Sequence, residues 1–206
     1  MTCRFDIHII CFTMLLAFLT SGCHRSSVDT TPLDVPVELL RNGDLALRCG
    51  TSLESRFVAG ENGPYSHIGI VVEIDGQWFV AHAVPGENKP GEPEYLKLDP
   101  IHVFYGQDRA KLGCIMRVSE DSAICHKATD YARWAVGEKK VFDNQYDLED
   151  TTRLYCTEMV QQAYLHAGIN LAEERRTKVA AALMPGTYVF PGDITANESL
   201  YVVCDF

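Results

Sequence analysis

Basic residues are few. Eighteen lysines and arginines stand against 28 aspartates and glutamates, for a formal net charge of −10. A surface of that sign repels a phosphate backbone, so the chain is not expected to bind nucleic acid. Long apolar runs are also missing. The stretch Ile9 to Leu19 is too short to span a bilayer comfortably. No cysteine pair has Cys-x-x-Cys spacing, so a common metal-ligand pattern is absent. There is no internal repeat and no low-complexity tract, which excludes a solenoid or a fibrous chain. What is present is ordinary for a globular protein: 47% hydrophobic and 22% charged residues.

The N-terminus reads as an address. Arg4 supplies a positive start, Ile9 to Leu19 an apolar segment of signal length, and Leu19-Thr20-Ser21-Gly22-Cys23 follows. This resembles a bacterial lipobox, in which cleavage precedes a cysteine that is then acylated; an ordinary secretory signal or an uncleaved anchor is the alternative. The expected organisation is a signal peptide at 1–22, a polar tether at 23–36 behind lipidated Cys23, and one domain at 37–206. Acyl chains on Cys23 would hold that domain to a membrane in the bacterial cell envelope, facing the periplasm or the exterior. Cys3 and Cys11 leave with the signal. Cys49, Cys114, Cys125, Cys156 and Cys204 remain, either as thiols or partly bridged.

Two strands are joined by the strongest short-range hairpin signal. His67 to Ile74 and Gln77 to Val84 flank Asp75-Gly76. A two-residue turn pairs Ile74 with Gln77, so Gly69 falls opposite His82. Side chains alternate along a strand, so His67 and His82 share a face as diagonal neighbours roughly 7 Å apart. Gly69 carries no side chain, which lets the ring of His82 lean toward His67. One imidazole can then orient the other, as a base and its orienting residue require. His8, His24, His102, His126 and His166 have no comparable partner.

Far downstream, Arg153-Leu154-Tyr155-Cys156 runs into a helix. Met159, Val160, Ala163, Tyr164 and Ala167 follow at three-and-four spacing, and Gly168 supplies a left-handed stop. Cys156 stands at or just before the first turn, where unpaired N–H groups and the helix dipole favour a thiolate. A reactive nucleophile fits that position; so does a small buried hydrophobe. Elsewhere the pattern predicts a strand at Gly43 to Arg48 and a short helical or irregular piece at Leu53 to Ala59. Strands or edges are predicted at Glu94 to Leu98, Ile101 to Tyr105 and Lys111 to Val118. A capped helix follows from Ser119-Glu120-Asp121 to about Val136, then a polar loop at Val141 to Thr152. A further helix is predicted at Ala172 to Met184, and a last strand at Leu200 to Cys204.

Gly43-Asp44-Leu45, Tyr65-Ser66-His67-Ile68-Gly69-Ile70, Tyr146-Asp147 and Tyr155-Cys156-Thr157-Glu158, in that order, resemble the successive motifs of the YiiX-type permuted papain-like cysteine hydrolases. These are circularly permuted relatives of NlpC-type cell-wall peptidases. The resemblance implies an α+β, permuted papain-like fold, with the cysteine helix packed on a small antiparallel sheet that carries the histidines. It implies Cys156 as nucleophile, His67 as general base and acid, and His82 as the third, polar member. His82 stands where that family often has glutamate, which would leave the histidine pair without a carboxylate. The N–H of Cys156 would face the oxyanion, with Tyr65, Tyr146 or Tyr155 assisting. Asp147 and Glu158 would be structural. The implied reaction is amide cleavage through a thioester, with no metal or organic cofactor. Its substrates would be cell-wall peptides or small acyl-amino-acid conjugates. An acyltransferase or lipid-directed esterase with the same triad, and a silent peptide- or lipid-binding module, are the alternatives.

Overall fold

The computed structural model describes residues 30–88, 91–150, 152–180 and 185–206. The expected signal peptide, Cys23 and the start of the tether lie outside the described residues. Among the described residues, no helix is long and apolar enough to cross a membrane.

The fold is α+β. Its centre is a six-stranded antiparallel sheet in the order β4-β3-β2-β1-β5-β8. The strands are β1 (Leu45–Cys49), β2 (His67–Ile74), β3 (Gln77–His82), β4 (Lys97–Pro100), β5 (Leu112–Arg117) and β8 (Tyr201–Asp205). A small ribbon pairs β6 (Thr177–Val179) with β7 (Gly186–Tyr188). The helices are α1 (Leu53–Asn62), α2 (Ile101–Phe104), α3 (Ser122–Gly137), α4 (Cys156–His166) and α5 (Pro191–Thr195).

Strand alternation gives the sheet two apolar faces. Leu45, Leu47, Ile68, Ile70 and Val72 lie under α3 and α4. Ala46, Val71, Val80 and Ile115 pack instead against Ile101, Phe104 and Tyr105. All five predicted stripe residues of α4 are buried, and Gly168 adopts φ 93° at its end. Asp121 caps α3 by accepting a hydrogen bond from the Ala123 N–H at 2.8 Å. At the start of β1, Asp44 takes Arg117 in a bidentate ion pair, Nε to Oδ1 at 2.7 Å and an Nη to Oδ2 at 2.8 Å. The Tyr164 hydroxyl donates to the Gly43 carbonyl, which ties α4 to the same corner. Gly43 has φ 85°, and a Cβ there would press on Cys125 at 3.0 Å, so this turn requires glycine.

Three expectations are corrected. The predicted helix Ala172 to Met184 is, over its described part, a turn followed by β6. Glu173 sits at φ 50°, through which a right-handed helix cannot continue. Long-range bonds hold this course: Arg175 Nε donates to the Asp193 carbonyl at 2.8 Å, and Asn197 donates to that of Leu171 at 2.9 Å. The predicted strand Ile101 to Tyr105 is the single-turn helix α2, because β4 ends at Pro100 and the chain turns inward to bury Ile101 and Phe104. The predicted tether is not loose along its described length. Leu33 donates its N–H to the Tyr105 carbonyl at 2.9 Å, and Leu33 and Val35 pack on the second apolar face.

Candidate active site

The Asp75-Gly76 turn has the predicted two-residue form. Ile74 pairs with Gln77, and the register continues to Ile70 opposite Ala81. One step further, His82 leans across Gly69. A Cβ on Gly69 would lie 3.0 Å from that of His82 and 2.7 Å from the Ala81 carbonyl oxygen, so only glycine fits. The rings meet edge to face, with His67 Nε2 and His82 Nδ1 2.9 Å apart. Both are buried, and both pack on the ring of Phe104.

His67 and Cys156 approach from different layers. His67 shares the face of Gly69 and Val71 with Phe104, whereas α4 covers the face of Ile68 and Ile70. They converge at the end of the sheet where β2 begins. There the backbone N–H groups of Ile68, Thr157 and Cys156 surround the Cys156 thiol. Both side chains line a cavity of about 570 Å³. Aromatic residues form one patch of its lining, with Phe142, Tyr146 and Phe190. Thr51, Asp108 and Arg109 form a polar one. Among the described residues, no hydrogen bond joins Cys156 to His67; the Nε2 of His67 faces His82, which leaves Nδ1 for other partners.

The resting thiol differs from the sequence expectation. Burial pushes Cys156 up to about 11, outweighing the surrounding N–H groups and the Arg48 guanidinium, which pull the other way. Burial also holds His67 well below the ordinary histidine value, with Arg48 and His82 adding to it. His82 is lowered to about 4, mainly by burial, against the opposing pull of Asp99. At neutral pH the site therefore holds a neutral thiol and two neutral imidazoles. Only the deprotonated thiol alkylates, so iodoacetamide labelling of Cys156 should rise about tenfold per pH unit from pH 7 to about 10. Site-resolved mass spectrometry checks this, and a plateau already reached at pH 7 would mean a resting thiolate.

The three tyrosine candidates separate. Tyr65 donates to Asp205 Oδ1 at 3.1 Å, and its side chain is not part of the cavity lining. Tyr155 lines the cavity, but its hydroxyl accepts the Val189 N–H at 3.2 Å. Tyr146 also lines the cavity, in ring contact with Phe142, Tyr155 and Tyr188. Glu158 caps its own helix by accepting the Tyr155 N–H at 3.2 Å. Burial raises it to about 8, so it stays protonated at neutral pH. Asp147 accepts the Glu149 N–H at 3.0 Å. The described cysteines are all free thiols.

The sequence reading missed a charged cluster behind the histidines. His82 Nε2 lies 3.2 Å from Asp99 Oδ2, so a carboxylate does back the histidine pair. The same oxygen receives Lys97 at 3.2 Å and Arg109 at 3.0 Å. Glu87 joins Lys97, Arg109 and buried Arg48, whose guanidinium also lies over the Phe104 ring. Burial opposes the charge on Asp99, but His82 and Lys97 hold its carboxyl well below the ordinary range. A signal existed: β4 pairs Val80 with Asp99, so Asp99 shares the face of Val80 and His82. Reading it required knowing that β4 pairs with β3.

No family model matches the chain, and no curated protein does. Among solved structures, the metalloprotein YiiX of Escherichia coli matches with a TM-score of 0.66 at 20% identity, over 81% of this chain and 97% of that one. The chain therefore has a YiiX-like fold; at that identity the likeness speaks for the fold alone.

Proposed function

We propose that this protein is a cysteine hydrolase that cleaves an amide bond through a thioester. The observation that carries the reading is the shared cavity: a thiol at the first turn of α4 opens on the same space as His67, whose Nε2 meets buried His82 behind it. In the proposed reaction, Cys156 Sγ attacks the amide carbonyl as its proton passes to His67 Nδ1. The N–H of Cys156 faces the oxyanion. His67 then gives that proton to the departing amine as the C–N bond breaks. Water, deprotonated by His67, attacks the thioester, and the acid leaves as the thiol is restored. Starting from a neutral thiol, proton transfer accompanies the attack. The cavity's aromatic and polar patches suit an amide with one apolar and one polar flank, such as a cell-wall peptide or an acyl-amino-acid conjugate.

The YiiX neighbour is described as a metalloprotein. Here, among the described residues, no group of three His, Cys, Asp or Glu side chains is arranged to hold a metal ion. Apart from His67 Nδ1, the nearest nitrogens and carboxylates are spent on each other: His67 Nε2 on His82, His82 on Asp99, and Asp99 and Glu87 on three cations. This donor set does not fit a metal, and no step runs through one.

The reading is tested by incubating the chain with an activated acyl ester and mapping the adduct by mass spectrometry. A transient acyl group on Cys156 that decays with release of acid supports it. An unmodified Cys156, or a stable adduct elsewhere, refutes it. We also propose an envelope location with a lipid anchor at Cys23, on the strength of the Leu19 to Cys23 motif. Intact-mass measurement of the membrane fraction should find a mature chain beginning at acylated Cys23; a retained signal or a bare Cys23 refutes it.

A further inference from the structure

We infer that Asp99 is a positioning residue that sets, through His82, which nitrogen of His67 carries the proton. The inference rests on the reading of Cys156 and His67 as the reacting pair only for its consequence, not for its geometry.

All three side-chain partners of Asp99 Oδ2 lie on one oxygen: His82 Nε2 at 3.2 Å, Lys97 Nζ at 3.2 Å and an Arg109 Nη at 3.0 Å. Lysine and arginine only donate, so this oxygen acts as an acceptor and has no proton to give. His82 Nε2 must therefore carry hydrogen. A neutral imidazole has one N–H, so His82 Nδ1 is a lone pair. Its partner at 2.9 Å is His67 Nε2, which must then donate. That leaves His67 Nδ1 bare, the form a general base needs. Both rings stay neutral at neutral pH, which the tautomer argument requires. The charged and titratable groups facing the relay are Arg48 from β1, Glu87 from the loop after β3, Lys97 from β4 and Arg109 from the loop after α2. Without the carboxylate, either tautomer of His82 becomes available. One of them donates from Nδ1 to His67 Nε2 and places the His67 proton on Nδ1, which disables the base. In the forward step, proton arrival at His67 Nδ1 leaves a cation whose Nε2–H still points along the relay toward Asp99.

Long-range proton–nitrogen NMR of the full chain labelled with ¹⁵N-histidine reads the tautomers without any substrate. Signals are assigned by their loss in His67→Gln and His82→Gln. At pH 7 both rings should be protonated on Nε2 and bare on Nδ1. A bare Nε2 on His82, or a proton on Nδ1 of His67, in the wild type overturns the inference whether or not any variant folds. In Asp99→Ala, with its melting temperature checked, His67 should show mixed tautomers. Acylation of Cys156 by an activated ester should slow about ten- to hundredfold, one ring removed from the larger cost of losing a carboxylate directly bonded to the base. Asp99→Glu should recover most of both signals. An unchanged His67 tautomer in folded Asp99→Ala overturns the assignment. Tautomers as stated in a wild type whose Cys156 never acylates support the relay and sink the hydrolase reading alone.

Discussion

Replacing Cys156 with alanine is expected to abolish turnover of an activated acyl substrate, with the fold intact. The removed thiol is the only group in the proposed site that forms the covalent bond. Loss of a nucleophile costs up to about a millionfold where the remaining groups act as a unit with it. His67→Ala should cost about a hundred- to ten-thousandfold, the usual range for a positioned acid–base group. Cys156 is a neutral thiol pushed up to about 11, so without its base little of it is ionised near pH 7. The His67→Ala rate should therefore recover as pH is raised, which the wild-type rate should not do as steeply. His82→Ala should cost less than either, since nucleophile and base survive. His82→Glu, the acidic residue the family resemblance favours, should also lose activity, because it would face the carboxylate of Asp99. Rates from the purified variants, each with its melting temperature, decide this. Substantial turnover by folded Cys156→Ala would end the covalent reading.

The second large effect is on stability. Asp44→Ala should destabilise the fold by about 3–5 kcal/mol, the cost of leaving a buried charge without its partner. Arg117 is 6% exposed and Asp44 1%, and two hydrogen bonds join them across β1 and β5. Asp44 Oδ2 also accepts the Arg41 N–H at 2.8 Å, so the same change frees the turn that leads into β1. Arg117 would keep the Leu39 carbonyl at 2.9 Å, the Tyr201 hydroxyl and a distant carboxylate, Glu120 at 3.9 Å. The double variant Asp44→Ala, Arg117→Leu should be more stable than Asp44→Ala alone, because it removes the orphaned charge. Urea unfolding measures both. A loss below about 1 kcal/mol for Asp44→Ala would mean that water or Glu120 replaces the lost partner.

The sequence by itself determined what local rules govern. Asp75-Gly76 fixed the hairpin register, alternation put His67 and His82 on one face, and Gly69 left room between them. The three-and-four spacing after Cys156 determined α4 and set the thiol at its first turn. Each of these depends on residues a few positions apart, or on one turn whose geometry leaves a single register. Only the tertiary structure decided the rest. Asp99 backs His82 because β4 pairs with β3, and Arg48 joins the cluster because Glu87, from the loop after β3, and the Phe104 carbonyl, from α2, meet it there. The segment after Ala172 forms a turn and a strand where its composition predicts a helix, because Arg175 and Thr177 are held by Asp193. Even the charge state of Cys156 belongs to this second group. The helix start favours a thiolate through a field that acts within one turn. Burial opposes it by removing much of the water around the thiol, and how much is removed depends on which distant elements cover the site.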